Sequence, residues 1–222
     1  MPRTGSLPKR WNSAEMGALN IPDSFPIGPG DRVLLDRAAE YVKALLDGDS
    51  TGHGYDHALR VLRVTLLICQ ELGCSCADAA LAALLHDADD PKLFDTEGNA
   101  NARSFLRENG VDGERADRIC GIINSVSFSG NAGRRPGTPE GMAVQDADRL
   151  DAMGAVGIAR TFAYGGARGR SLEESSGHFE EKLLKLRDLM NTRTGRELAD
   201  ARHEFLVSFL EQFRSETRTG LF

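Results

Sequence analysis

The sequence predicts an all-α fold, and three observations carry that prediction. Apolar residues recur at three- and four-residue steps along most of the 222-residue chain, the spacing that lines one face of a helix. No run alternates apolar and polar residues as a half-buried strand would. The breaks between periodic stretches fall at glycine and proline, which stop helices for backbone reasons.

Taken in order, residues 1–30 are rich in Pro, Gly and Ser and read as an extended or poorly ordered arm. Residues 31–217 read as one domain without internal repeats. A first helix begins at Asp31, with Val33, Leu34, Ala38, Tyr41, Val42, Leu45 and Leu46 on one face, and Gly48 closes it. A second covers 55–72, burying Leu59, Leu62, Leu66 and Leu67, with Gly73 as its stop. The third, 77–90, is almost wholly apolar until His86, and Pro91 ends it. Two more cover 98–109 and 112–126. The stretch 127–141 is a loop by composition. A strongly apolar helix is expected over 142–163, ended by Gly165-Gly166, and two amphipathic helices over 172–191 and 195–216 finish the chain.

Composition bounds the function. Hydrophobic content of 41% and charged content of 27% are those of an ordinary globular domain. A net charge of −6 argues against binding to polymeric nucleic acid, which calls for a basic face. It does not exclude a small anion, because a metal and a few cations dominate the field inside a cleft. No run approaches the ~20 apolar residues that span a bilayer, and nothing has the form of a secretory leader. Four cysteines, Cys69, Cys74, Cys76 and Cys120, make no disulfide framework or Cys-x-x-Cys site. A cytoplasmic location is the expectation.

The chemistry lies in a scarce residue type. Of five histidines, three (His53, His57 and His86) fall within a short stretch, at the ends of predicted helices. His86 is followed by Asp87 at the end of an apolar helix, where a polar pair is expensive to bury unless something satisfies it. Asp90 stands four residues after His86. A third group, Asp146, Asp148 and Asp151, is embedded among Met142, Val144, Ala147, Leu150 and Met153, and buried carboxylates need partners. Asp148 and Asp151 share a helix face; Asp146 shares another with Arg149, where a local ion pair is expected. Each group alone has an ordinary explanation, such as a histidine capping helix carbonyls or an exposed acidic run. Together they suit one metal ion.

The order His, His-Asp, Asp on three separate helices resembles the HD-domain phosphohydrolase superfamily. The resemblance extends over Gly52-His53-Gly54-Tyr55-Asp56-His57, Leu84-Leu85-His86-Asp87-Ala88-Asp89-Asp90 and Gln145 through Phe162. It continues through His178-Phe179-Glu180-Glu181-Lys182 and Arg202-His203-Glu204-Phe205, and looks like one bacterial branch of compact single-domain predicted nucleotide hydrolases. It implies an HD-type helical bundle with His57, His86, Asp87 and Asp148 as metal ligands, Asp146 being the alternative for the fourth. It also implies that Asp90 positions or deprotonates a water. Lys92, Arg60 and His53 are the candidate contacts to substrate phosphates.

Two departures sharpen the resemblance. The extra histidines of two-metal relatives are missing between His86 and His178, which implies a single ion. Where guanosine-tetraphosphate hydrolases carry Glu-Asp, this chain has Asp90-Pro91, which argues against that substrate. Mixed nitrogen and oxygen ligation suits Mn, Fe, Co, Ni or Zn as the divalent ion. The implied activity is hydrolysis of a phosphomonoester or pyrophosphate bond in a nucleotide-like substrate, with no membrane partner and with a homodimer left open. The competing expectation is a non-catalytic nucleotide- or metal-sensing module of the same fold.

Overall fold

The structure, a computed structural model, describes residues 19–46, 54–91, 93–126 and 134–217. These residues form helices and connecting turns, with no strand among them. The helices are α1 (Pro29–Leu45), α2 (Tyr55–Leu72), α3 (Cys76–Leu85), α4 (Ala100–Glu108), α5 (Gly113–Val126), α6 (Pro139–Asp151), α7 (Gly154–Ala167), α8 (Leu172–Glu181) and α9 (Arg193–Thr217). A 3-10 segment, Leu183–Leu189, joins α8 to α9.

α3 is the hub. Its sequence, Cys-Ala-Asp-Ala-Ala-Leu-Ala-Ala-Leu-Leu, presents small or aliphatic side chains in every direction, and every residue except Asp78 is buried. A helix that is apolar all round must be surrounded, and α1, α2, α5 and α6 surround it. The alanines let those neighbours approach closely. A second apolar cluster lies beyond α6, built from Leu150, Met153, Ile158, Phe179, Leu186, Leu206 and Leu210. There the rings of Phe162, Phe179, Phe209 and Phe213 pack with centroids 5.5–6.0 Å apart.

Three predicted helices differ from the observed ones. The third helix ends at Leu85 rather than residue 90, and the chain then turns through i+3 hydrogen bonds from Ala88 N to Leu85 O and from Asp90 N to Asp87 O. The His-Asp pair therefore terminates the helix, and Asp90 reaches its position through a turn. Asp89 there accepts the backbone N–H groups of Asn101 and Ala102, satisfying donors at the start of α4 that Asn99 leaves uncapped. The single helix expected over 142–163 is two, because Met153 is extended and Gly154 takes a φ of +65°, a conformation that favours glycine. The helix expected over 172–191 is α8 followed by the 3-10 segment.

Gly165-Gly166 does not break α7, which continues to Ala167. A Cβ at position 165 would lie 2.0 Å from Ser175 Oγ, so Gly165 serves the close crossing of α7 and α8. Gly165 is a helix contact, and the glycine pair is not a stop. The loop expected over 127–141 is likewise shorter, since Thr138 caps α6 by accepting Gly141 N–H, with Pro139 in its first turn. Of the N-terminal arm, residues 19–28 run along α1. Arg32 donates to the carbonyls of Ile21, Pro22, Phe25 and Ile27, and Ile27 enters the core.

Candidate metal centre

Three helix ends meet at one point. The first turn of α2 supplies His57, the residues just after α3 supply His86 and Asp87, and the last turns of α6 supply Asp148 and Asp151. His57 Nε2 lies 3.1 Å from His86 Nε2. Asp148 Oδ1 is 3.5 Å from the first of these nitrogens and 3.8 Å from the second. Asp87 flanks both imidazoles, Oδ2 3.5 Å from His57 Nε2 and Oδ1 3.4 Å from His86 Nε2. Side-chain exposure rises from 2% at His57 and 5% at His86 to 12% at Asp87 and 30% at Asp148, so the cluster opens to solvent on the Asp148 side.

The far nitrogens of the imidazoles explain why the near ones face each other. His57 Nδ1 is 2.7 Å from Asp151 Oδ2 and donates its proton there. His86 Nδ1 is 2.9 Å from the Ala83 carbonyl and donates to it. With both Nδ1 atoms turned to these acceptors, the neutral form of each ring would present its Nε2 lone pair to the cluster. Two lone pairs 3.1 Å apart, ringed by carboxylates, repel one another unless a cation lies among them. The donor set therefore fits a metal ion, and His57, His86 and Asp148 each offer an atom within 4.8 Å of the others. Burial opposes a charge on His86, but the carboxylates of Asp87 and Asp148 and the Ala83 carbonyl outweigh it and raise its basicity. The same field favours a metal cation.

Behind His57 stands a network that the sequence reading did not anticipate. Asp151 accepts from His57, from Arg60 Nε at 2.6 Å and Nη2 at 3.0 Å, and from Arg160 Nη1 at 2.6 Å. Burial works against ionisation of Asp151, but the hydrogen bonds from His57 and Arg60 and the charge of Arg160 hold its carboxyl well below the usual range. A carboxylate behind a ligating imidazole fixes the ring's tautomer and direction. Asp151 was visible as the i+3 partner of Asp148. Arg160 was not, because it reaches back only through the break at Gly154.

The remaining predicted residues are placed as follows. Arg60 directs two of its donors at Asp151, with its side chain 38% exposed. Asp90 is half-buried in the turn after Asp87. His53 and Lys92 lie outside the described residues. Asp146 is fully buried away from the imidazoles and accepts from the backbone and side chains of both Asn191 and Thr192 at 2.8–3.1 Å. Its expected ion pair with Arg149 is replaced by these bonds, because Arg149 donates to the Leu189 carbonyl. Gly195 makes room for the arrangement, since a Cβ there would sit 2.3 Å from Asp146 Oδ2.

Comparison with known proteins agrees with this geometry. Residues 54–153, the segment that holds all the residues of the cluster, match the HD domain family. The chain is 42% identical over 184 residues to the Bacillus subtilis (strain 168) protein YpgQ, covering 79% of this chain and 90% of that one. The crystal structure of Bacillus subtilis YpgQ in complex with ADP superimposes with a TM-score of 0.71 at 37% identity, over 83% of this chain and 98% of that one. An HD-superfamily hydrolase from Bacillus thuringiensis gives a TM-score of 0.69 at 37% identity, over 86% of this chain and all of that one (100%). With the helical bundle, the paired imidazoles and these relatives in agreement, the chain belongs to the HD-domain superfamily.

Proposed function

We propose that this protein is a metal-dependent phosphohydrolase that cleaves a phosphomonoester or pyrophosphate bond in a nucleotide-like substrate. The observation that carries the reading is the meeting of two imidazole Nε2 atoms 3.1 Å apart beside Asp87 and Asp148, in a cluster that reaches solvent at Asp148, in a family member whose relatives include an HD-superfamily hydrolase. A relative crystallised with ADP supports a nucleotide as the substrate class.

In this reading His57, His86, Asp87 and Asp148 hold one divalent transition-metal ion. Such an ion lowers the pKa of a bound water and polarises a phosphoryl oxygen. The protein's own part is to position and to neutralise. Asp151 keeps the His57 proton on Nδ1, so that Nε2 stays directed at the cluster. Arg60 and Arg160 hold Asp151 ionised and in place. Asp90, just after the His-Asp pair, orients the attacking water and takes its proton. Arg60, Lys92 and His53 are the proposed contacts to phosphate, Arg60 in addition to its bond with Asp151.

The test is a screen of ribo- and deoxynucleotides against Mn, Fe, Co, Ni and Zn with product analysis. Release of phosphate or pyrophosphate that stops on chelation is expected. Asp90→Asn should retain the metal and lose about 10²–10⁴ in kcat. Nucleotide binding without turnover under every metal would identify a sensing module instead. Loss of metal from Asp90→Asn would make that residue a ligand.

A further inference from the structure

Beyond the Asp151–Arg160 pair a cavity of about 410 Å³ opens between α7 and α8, within the range of small-molecule sites, roughly 300–1,000 Å³. One wall is a single face of α7, with Gly157, Arg160, Thr161 and Tyr164 at i, i+3, i+4 and i+7. At 1.5 Å per residue that face runs about 10 Å from the Asp151 end. The opposite wall carries His178 and, just past α8, Lys182; Arg170 lines it from the turn between the helices.

The charge balance of this cavity runs against that of the chain. Arg160, whose charge Asp151 partly balances, Arg170 and Lys182 line the cavity with one carboxylate, Glu181, in a protein of net charge −6. Low-dielectric walls focus such a field. His178 registers it: burial first, then the charges of Lys182 and Arg170, lower its basicity despite Glu181. Its neutral imidazole can donate to an oxygen anion. The ring of Tyr164 is engaged by the guanidinium groups of Arg168 and Arg170 at 5.3 and 5.7 Å, which holds Arg170 at the cavity and occupies the aromatic surface a base would need.

We propose that this cavity is a phosphate-binding subsite, in which Arg160, Arg170 and Lys182 take a phosphate group of the substrate remote from the one at the metal cluster. The proposal rests on the phosphohydrolase reading for the identity of the molecule, but the anion site itself does not require turnover. Arg160 is the link. It lines the cavity and bonds Asp151, the partner of His57.

The probe is inorganic tripolyphosphate, titrated calorimetrically into the metal-loaded full-length protein. Loss of a charge-assisted contact to phosphate should weaken binding by roughly tenfold in Lys182→Gln, whose side chain is half-buried, and by a smaller factor in Arg170→Gln, whose side chain is exposed. Lys185→Gln, an exposed lysine outside the cavity, is the charge-matched control and should bind as the parent does. Equal weakening in the control, or none in the two cavity variants, overturns the proposal. Where Arg170→Gln lowers the melting temperature, Lys182→Gln alone decides. If nucleotides are turned over, the cavity variants should raise KM by a larger factor than they lower kcat. Turnover with KM untouched overturns the subsite and leaves the phosphohydrolase reading standing. Tripolyphosphate binding that is lost in the variants of a protein that hydrolyses nothing overturns that reading and leaves the subsite.

Discussion

Asp146 and Asp148 stand two residues apart on α6 and do opposite things. Asp148 is part-exposed and faces two imidazoles, whereas Asp146 is sealed beneath four hydrogen-bond donors from Asn191 and Thr192. Helical geometry turns the two side chains to different faces, so substitution should separate metal binding from stability. Asp148→Ala is expected to weaken metal binding by more than the roughly 10–100-fold typical of an outer-shell partner, with the melting temperature nearly retained. Asp146→Ala should lower the melting temperature, because it strands buried donors. Metal titration and thermal unfolding of both variants check this; metal lost only from the Asp146 variant would reverse the roles. The sequence showed which residues were too polar for their surroundings, since carboxylates among Val144, Ala147 and Leu150 announce themselves. It could not show that Asp146 is satisfied from Asn191 and Thr192, 45 and 46 residues away, as those donors carry no local pattern.

At the level of elements, helix existence was legible and helix ends were not. Periodicity reports which face is buried, and that is fixed by the core. Ends depend on single backbone conformations, such as Gly154 at φ +65°, and on partners far along the chain, such as Asp89 for the start of α4. The break between α6 and α7 is the consequential case. A Cβ on Gly157 would lie 2.2 Å from the Ala152 carbonyl oxygen, a backbone atom that cannot swing aside. Gly157→Ala should therefore destabilise the protein by about 1–3 kcal/mol, the usual cost of overpacking. On the proposed phosphohydrolase reading it should also reduce turnover, because Arg160, one turn further on, would no longer meet Asp151 in register. Urea unfolding together with kcat measures both, and a variant with parental stability and turnover would show that the junction tolerates a side chain.

Across the whole molecule, Tyr41 ties α1 to α4. Its O–H donates to the Asn101 carbonyl at 3.3 Å and its ring lies 5.0 Å from that of Phe105. Burial, with Asp89 and Glu108 nearby, raises its pKa from 10.0 to about 12. A folded state that keeps this proton longer than the unfolded chain gains stability that is fully present below pH 10. That contribution is lost as the pH rises towards 12. Tyr41→Phe should consequently be less sensitive than the parent to alkali between these values in urea unfolding; an identical pH profile would assign the alkaline loss elsewhere. The two apolar clusters meet at α6, whose Ala143, Val144 and Ala147 belong to one and Leu150 to the other. His57 and His86 are anchored beside the first cluster, while Asp148 sits at the seam. A transient opening of α7 to α9 alone would take Arg160 away from Asp151 and loosen the Asp148–Asp151 end of α6, while His57, His86 and Asp87 stay beside the first cluster, turning a closed cage into an open three-ligand cradle. Metal escape then becomes a clock for that partial unfolding. The dissociation rate and the amide hydrogen-exchange rate of α9 should rise together with urea, and independent responses would mean that the ion leaves by another door.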